Sequence, residues 1–417
     1  MVTPANDVRI LRELAESVSE IAHLPVHEEK RRLWRSLNGL RPVRPMVWIN
    51  EEPWDELREN EPELTCVCED LFARSIEDRL RRTIYLWNHL RADRIVDSVF
   101  TTPIVYHDSG YGIERSATLS NGSDYGLGSC DYLPIMRSLD DIERIRVPFI
   151  TVDWEETERI HDRTIELIGD ILPVKKRGIT HMWCAPWDVL IQWWGIEELM
   201  VDMYDRPELV NAGISRMMDV LLARLDQLEE NSLLDVSDYN HRVGSGGLGL
   251  TDELPQQDYD GTHARPIDQW GTSTGQIFSD VSPAMHDEFC LRHEIRWLER
   301  FGLNCYGCCE PLHNKMGILR KVPRLRRISM SRWIDIEKAS TELGTDYVFS
   351  YKPNPAVFAW DSWDIDAARA ELDDMLERTR GNVVEIIMKD ITTCRHEPHR
   401  IWQWCDMAVQ VAENYPY

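Results

Sequence analysis

From Thr151 to the C-terminus the sequence alternates helical and strand-like segments, and no other feature limits the fold as severely. Helical periodicity covers Trp154 to Ile171, Val189 to Met203 and Pro207 to Glu230, and it returns at Pro283 to Arg300, Lys315 to Arg320 and Ile334 to Leu343. Two more helical runs, Ile365 to Arg378 and Pro398 to Asn414, complete the series. Short apolar runs lie between them: Gly178 to Cys184, a run beginning at Leu303, Arg327 to Met330, Tyr347 to Ser350 and Val383 to Met388. A helix that returns the chain across a sheet leaves consecutive strands parallel, and the helices then cover the sheet's faces. With this alternation in 417 residues, the expectation is an α/β fold built as a TIM (β/α)8 barrel.

The N-terminal part is less regular. Ile10, Leu11, Leu14 and Val18 fall at helical spacing, and a second run spans His27 to Leu37. Residues 1–40 are therefore expected to form an N-terminal helical extension and residues 41–417 a single barrel domain. Met46 to Ile49 reads as a strand, followed by an acidic turn with Glu51 and Glu52. Beyond it come a long amphipathic helix from Asp70 to Leu90 and a strand-like stretch, DSVFTTPIVY, ending beside His107 and Asp108. Gly110 to Gly128 reads as a loop.

Composition excludes several classes of function. Against 72 acidic residues stand 47 basic ones, a net charge of −25, which repels nucleic acid and anionic membranes. No apolar run reaches the ~18 residues of a membrane span, and the N-terminus, MVTPANDVRILRELAESV, lacks an apolar signal core. A cytoplasmic location is expected, where thiols stay reduced, so the 10 cysteines point to metal binding, catalysis or burial and away from disulfides.

Three of those cysteines, Cys305, Cys308 and Cys309, fall in the stretch GLNCYGCCEPLHNK, with Glu310 and His313 beside them. Along a strand, alternate residues share a face, which would set Cys308 and Glu310 on one side and Cys309 on the other. Cys305 reads as core filler. Cys394, in IMKDITTCRHEPHR, also follows an apolar run and is the natural remote partner. Cys308, Cys309, Glu310 and Cys394 together are the expected ligands of a divalent metal, although their spacing matches no paired CxxC zinc pattern. In a barrel the site lies at the carboxyl ends of the strands. The residues expected there are His181, Trp183 and Cys184, then Asp252 and Glu253, Ser331, Lys352 and Asn354, and Cys394. GSGGLG lacks the strand, helix and distant acid of a dinucleotide site.

Four stretches, Trp194 to Val210, Ser279 to Pro311, SYKPNP (Ser350 to Pro355) and KDITTCR (Lys389 to Arg395), resemble the uroporphyrinogen decarboxylase superfamily, covering about residues 175–415. That superfamily includes zinc methyltransferases serving corrinoid proteins. In its methyltransferase branch a His-x-Cys motif and a distant cysteine hold zinc; here Cys308 stands in the histidine's place, Glu310 in the cysteine's and Cys394 in the remote position. The decarboxylase branch has an arginine-rich loop for substrate carboxylates, but the matching WINEEPWDEL is acidic with no arginine before Arg58.

The resemblance therefore implies a zinc-dependent methyltransferase that demethylates a small substrate, of O-methyl aromatic or methylamine type, and passes the methyl group to a corrinoid protein. Asp252 and Glu253 would relay the leaving group's proton. His181, Trp183, Trp187, Lys352 and Asn354 would contact substrate, with Trp193 and Trp194 completing an aromatic mouth. The alternatives are a metal-independent decarboxylase and a non-catalytic ligand-binding barrel.

Overall fold

The computed structural model describes residues 3–114, 117–119, 130–132, 134–236 and 240–416. Most of the Gly110 to Gly128 stretch expected as a loop lies outside them. The strands are β1 (Met46–Ile49), β2 (Phe100–Pro103), β3 (Tyr106–Asp108), β4 (Ala117–Leu119), β5 (Cys130–Tyr132), β6 (Ile150–Val152), β7 (Val174–Arg177), β8 (Trp270–Ser273), β9 (Leu303–Tyr306), β10 (Leu325–Met330), β11 (Val348–Tyr351) and β12 (Val383–Met388). Six of them form one sheet in the order β1-β12-β11-β10-β9-β8, every pairing parallel. Its strands are buried on both faces, which is why VVEIIM in β12 shows an almost unbroken apolar run in place of alternation.

The expected eight-stranded closure is not found among the described residues. β2 pairs with β7, β3 with β6 and β4 with β5, each as a separate two-stranded sheet. Two local causes are visible. At the free edge of β1, Asp93 takes the role of a neighbouring strand: its backbone N–H donates to Val47 O at 3.0 Å and its carboxylate accepts from Val47 N–H at 2.7 Å. Beyond β8, the expected strand Gly178 to Cys184 reduces to isolated bridges, Ile179 to Leu234 and Cys184 to Ser273. Gly178 lies so close to Leu233 O that an added Cβ would sit 2.4 Å from it.

The helices largely follow their sequence signals. α1 (Ala5–Ala22) and α2 (Val26–Asn38) match the first two periodic runs. A short α3 (Trp54–Asn60) follows the acidic turn. α4 (Leu71–His89) starts where the Asp70 carboxylate accepts from Ala73 N–H, filling one of the orphan donors of its first turn. α1 packs on α4, and α2 packs on β1 and β12. Trp34 of α2 is fully buried and donates to Asp93 O, while Asn38 donates to Leu248 O and Leu250 O. The single helix expected over Val189 to Met203 divides into Pro186–Trp194 and Ile196–Asp205, because Gly195 between them has φ of 83°. No described helix is long and apolar enough to cross a membrane.

The core runs continuously through the large sheet and its covering helices, with Phe349, Ile386, Trp404 and Ile328 fully or almost fully buried. Each such side chain stabilises the fold by about 1.5–3 kcal/mol relative to exposure.

A thiol pair at the carboxyl end of the sheet

β9 ends at Tyr306, and the chain turns at Gly307, whose φ of 92° suits a residue without a Cβ. Three neighbouring segments pin this turn. Gly307 N–H donates to Ser273 O at 2.9 Å, Ser245 Oγ donates to Gly307 O at 3.1 Å, and Ser329 Oγ donates to Cys308 O at 2.8 Å. The strand periodicity therefore stops before the cysteines. Cys308 and Cys309, expected on opposite faces, instead bring their sulfurs to 3.5 Å of each other.

Lys389, the first residue after β12, places its ammonium 3.5 Å from Cys308 Sγ and 3.9 Å from Cys309 Sγ. In sheet order β12 and β9 are separated by β11 and β10. Such a contact requires the sheet to curl so that its carboxyl ends face one another, the curvature of a TIM-like barrel. Asp390 holds Lys389 at 2.8 Å, and Glu51, just past β1, accepts from Asp390 N–H at 3.2 Å. Arg242 pairs with Glu51 at 2.9 Å. Thiols, ammonium and carboxylates from three strand ends thus share one rim.

The electrostatics divide the two thiols. Hydrogen bonding from Cys308 and then the Lys389 charge pull the exposed Cys309 thiol down to about 7. The contact with Cys309 and then burial move Cys308 in the opposite direction. Burial opposes the charge on Lys389, but the thiols and Asp390 outweigh it and hold the ammonium firmly protonated. The arrangement therefore sets a sulfur biased toward its thiolate, a second thiol and an ammonium in contact.

The other expected ligands are engaged elsewhere. The buried Glu310 accepts from Thr274 Oγ1 at 2.7 Å and Gly275 N–H at 3.0 Å through one oxygen, and from Cys308 N–H at 2.8 Å through the other. Cys394 turns to Glu56 of α3: its N–H and its thiol both donate to Glu56 Oε2, at 2.8 and 3.2 Å. Burial and Glu56 push this thiol up to about 12. No group of three or more His, Cys, Asp or Glu side chains among the described residues is arranged to hold a metal ion. The donor set Cys308, Cys309, Glu310 and Cys394 therefore does not fit one ion: two donors are committed to other partners, and an ammonium lies against the two sulfurs.

The remaining predicted site residues scatter. Asp252 pairs with Arg41 at 2.9 Å and Arg35 at 3.5 Å, and Glu253 with Arg326 at 2.9 Å. Arg326 lies at the start of β10, so Glu253 sits at the amino end of the sheet, opposite the thiols, and Asp252 beside it is held by α2 and the turn after it. Trp187 is fully buried and donates to Phe289 O; Trp193 and Trp194 are also core, the latter donating to Asp202. Of the expected aromatic mouth only Trp183 is exposed.

His181 accepts from Gly244 N–H at 3.2 Å and is kept neutral, its pKa pushed down to about 3 by burial. Lys352 is buried and donates to Ser350 Oγ at 2.6 Å; burial brings it down to about 8. Asn354 is engaged in capping, its Oδ1 accepting from Ala356 N–H. Sequence reasoning missed Lys389, although it follows the clearest apolar run in the chain. The rule that residues just after a barrel strand face the site would have found it.

No family model matches the sequence, and no curated protein matches it. Among solved structures, the chain is similar in layout to a methyltransferase from Methanosarcina mazei at 12% identity, covering 92% of this chain and 98% of that one with a TM-score of 0.49. At that level the likeness carries no weight for chemistry, which has to come from the side chains themselves.

Proposed function

We propose that the chain is a methyltransferase whose sulfur nucleophile is Cys309. The supporting observation is the contact of Cys308, Cys309 and Lys389 at the carboxyl end of the parallel sheet, where folds of this layout carry their sites. A thiolate is a soft nucleophile suited to saturated carbon, and a pKa near ambient pH combines a large thiolate fraction with retained nucleophilicity. Cys309 Sγ attacks the methyl carbon of a methyl ether or a methylated ammonium donor. The S–C bond forms, the C–O or C–N bond breaks, and the bonding pair leaves with the heteroatom. A quaternary ammonium donor releases a neutral amine and needs no proton; an ether releases an oxyanion that takes its proton from water.

Lys389 orients and stabilises the thiolate through its charge, and Cys308 does so through its S–H. Trp183 borders the end of β8, since Cys184 O accepts from Thr274 N–H, and it offers an exposed aromatic face to a cationic methyl donor. A corrinoid protein is the proposed acceptor of the methyl group, and O-methyl aromatics and methylamines are the proposed donors.

The test is incubation of the protein with a panel of methoxylated aromatics, tertiary amines and quaternary amines, followed by peptide mass spectrometry. A methyl group on Cys309, absent in Cys309→Ser and discharged by reduced cobalamin, is the expected result. No methylation by any donor, with Cys309 still readily alkylated by iodoacetamide, would overturn the reading.

A further inference from the structure

Every other cysteine side chain described is shifted away from its thiolate, in most cases by burial above all. Among the described cysteine side chains, Cys309 alone is shifted toward it and Cys309 alone is exposed. A low thiol pKa, solvent access and a second thiol within reach are the three properties that make a cysteine oxidise selectively and reversibly. The second thiol is the adjacent residue, with its sulfur at 3.5 Å. A disulfide needs the sulfurs at about 2 Å, so the remaining approach is confined to the turn that holds both residues. No distant segment has to move.

We propose that Cys308 and Cys309 form a reversible oxidation site, at which peroxide converts the neighbouring thiols into a vicinal disulfide. The Cys309 thiolate attacks one peroxide oxygen; the S–O bond forms, the O–O bond breaks and hydroxide leaves. Sulfur is oxidised by two electrons and the peroxide is reduced. Cys308 sulfur then attacks Cys309 sulfur, the S–S bond forms, the S–O bond breaks, and the departing hydroxide takes the Cys308 proton as water.

The small ring through one peptide bond strains the product, and strained disulfides are readily reduced. Lys389 favours the first step, since its ammonium lies against the sulfurs and stabilises the attacking anion. Closure removes the nucleophile from the rim. The inference rests on the sulfur contact together with the exposure and acidity of Cys309, and it holds whether or not Cys309 accepts methyl groups.

The experiment treats the full chain with limiting hydrogen peroxide, blocks free thiols with iodoacetamide and maps the peptides by mass spectrometry. The expected product is a peptide containing Cys308 and Cys309 that is lighter by two hydrogen atoms, unalkylated at both, and restored by dithiothreitol. In Cys308→Ser, Cys309 should gain oxygen atoms instead. Should that variant fail to fold, the wild-type rate of oxidation decides, and it should fall as pH is lowered through about 7. Oxygen addition at Cys309 with Cys308 still alkylated in the wild type, earlier oxidation of a buried cysteine, or a pH-independent rate would each overturn the proposal.

Discussion

The two ends of the central sheet hold polar clusters of opposite character. At the amino side, Arg327 and Glu385 are fully buried and face one another at 3.2 Å as an ion pair. Arg327 also donates to Asn38 Oδ1 at 2.7 Å, Gly247 O at 3.1 Å and Leu248 O at 3.1 Å, and Glu385 accepts from Gly247 N–H. This cluster fastens α2 and the glycine-rich loop to the strands. At the carboxyl side, the sulfurs and the Lys389 ammonium touch at 3.5 to 3.9 Å with one thiol exposed. Short, dry and fully shared contacts fix a structure; longer ones open to solvent leave a group free to change its charge or its bonds.

The largest expected effect breaks the first cluster. Arg327→Met leaves Glu385 buried without its cation and should cost about 3–5 kcal/mol in denaturant unfolding. A loss under about 1 kcal/mol would mean that the amino-side cluster is not the structural one. Glu310→Gln comes next. It replaces one of the acceptor oxygens with an NH2 group facing a donor, and about 1–3 kcal/mol should be lost in the same measurement.

Lys389→Met should leave stability less affected but raise the Cys309 pKa. Because the thiolate reacts, a rise of about one pKa unit from about 7 should slow alkylation by iodoacetamide at pH 7 about fivefold, and its pH profile should move upward. An unchanged profile would show that the ammonium has no part in activating the sulfur. The smallest effect belongs to Asp252→Asn, which touches only exposed arginines: within about 0.5 kcal/mol in stability and no change in thiol reactivity.

The same contrast separates what could be read in the sequence from what could not. β12 and the helices Pro207–Glu230 and Ile365–Arg378 coincide with their periodic signals because apolar spacing alone specifies them. β8, WGTS, has no such signal. It is a strand because β9 beside it offers a parallel partner, and its polar side chains find buried acceptors such as Met182 O and Cys184 O.

The site divides in the same way. Cys308 and Cys309 were visible as a dense pair, but the turn at Gly307 that joins their sulfurs was not. Cys394 was visible as a cysteine, while its partner Glu56 lies 338 positions earlier and leaves no local trace. Asp252 and Glu253, expected at the carboxyl ends of the strands, pair with arginines at the other end, and those distant partners leave no local trace.

The Asp93 carboxylate on the outer edge of β1 has a consequence for the way this chain tolerates change. A margin finished by a side chain offers no free N–H at Val47 for a foreign strand to grip, which discourages edge-to-edge aggregation. It also means that the segment that follows does not extend the sheet from this edge at Val47. Contact between the large sheet and that segment is made instead at chosen points further along the chain, where Ser245 holds the Gly307 turn and Gly247 meets Glu385.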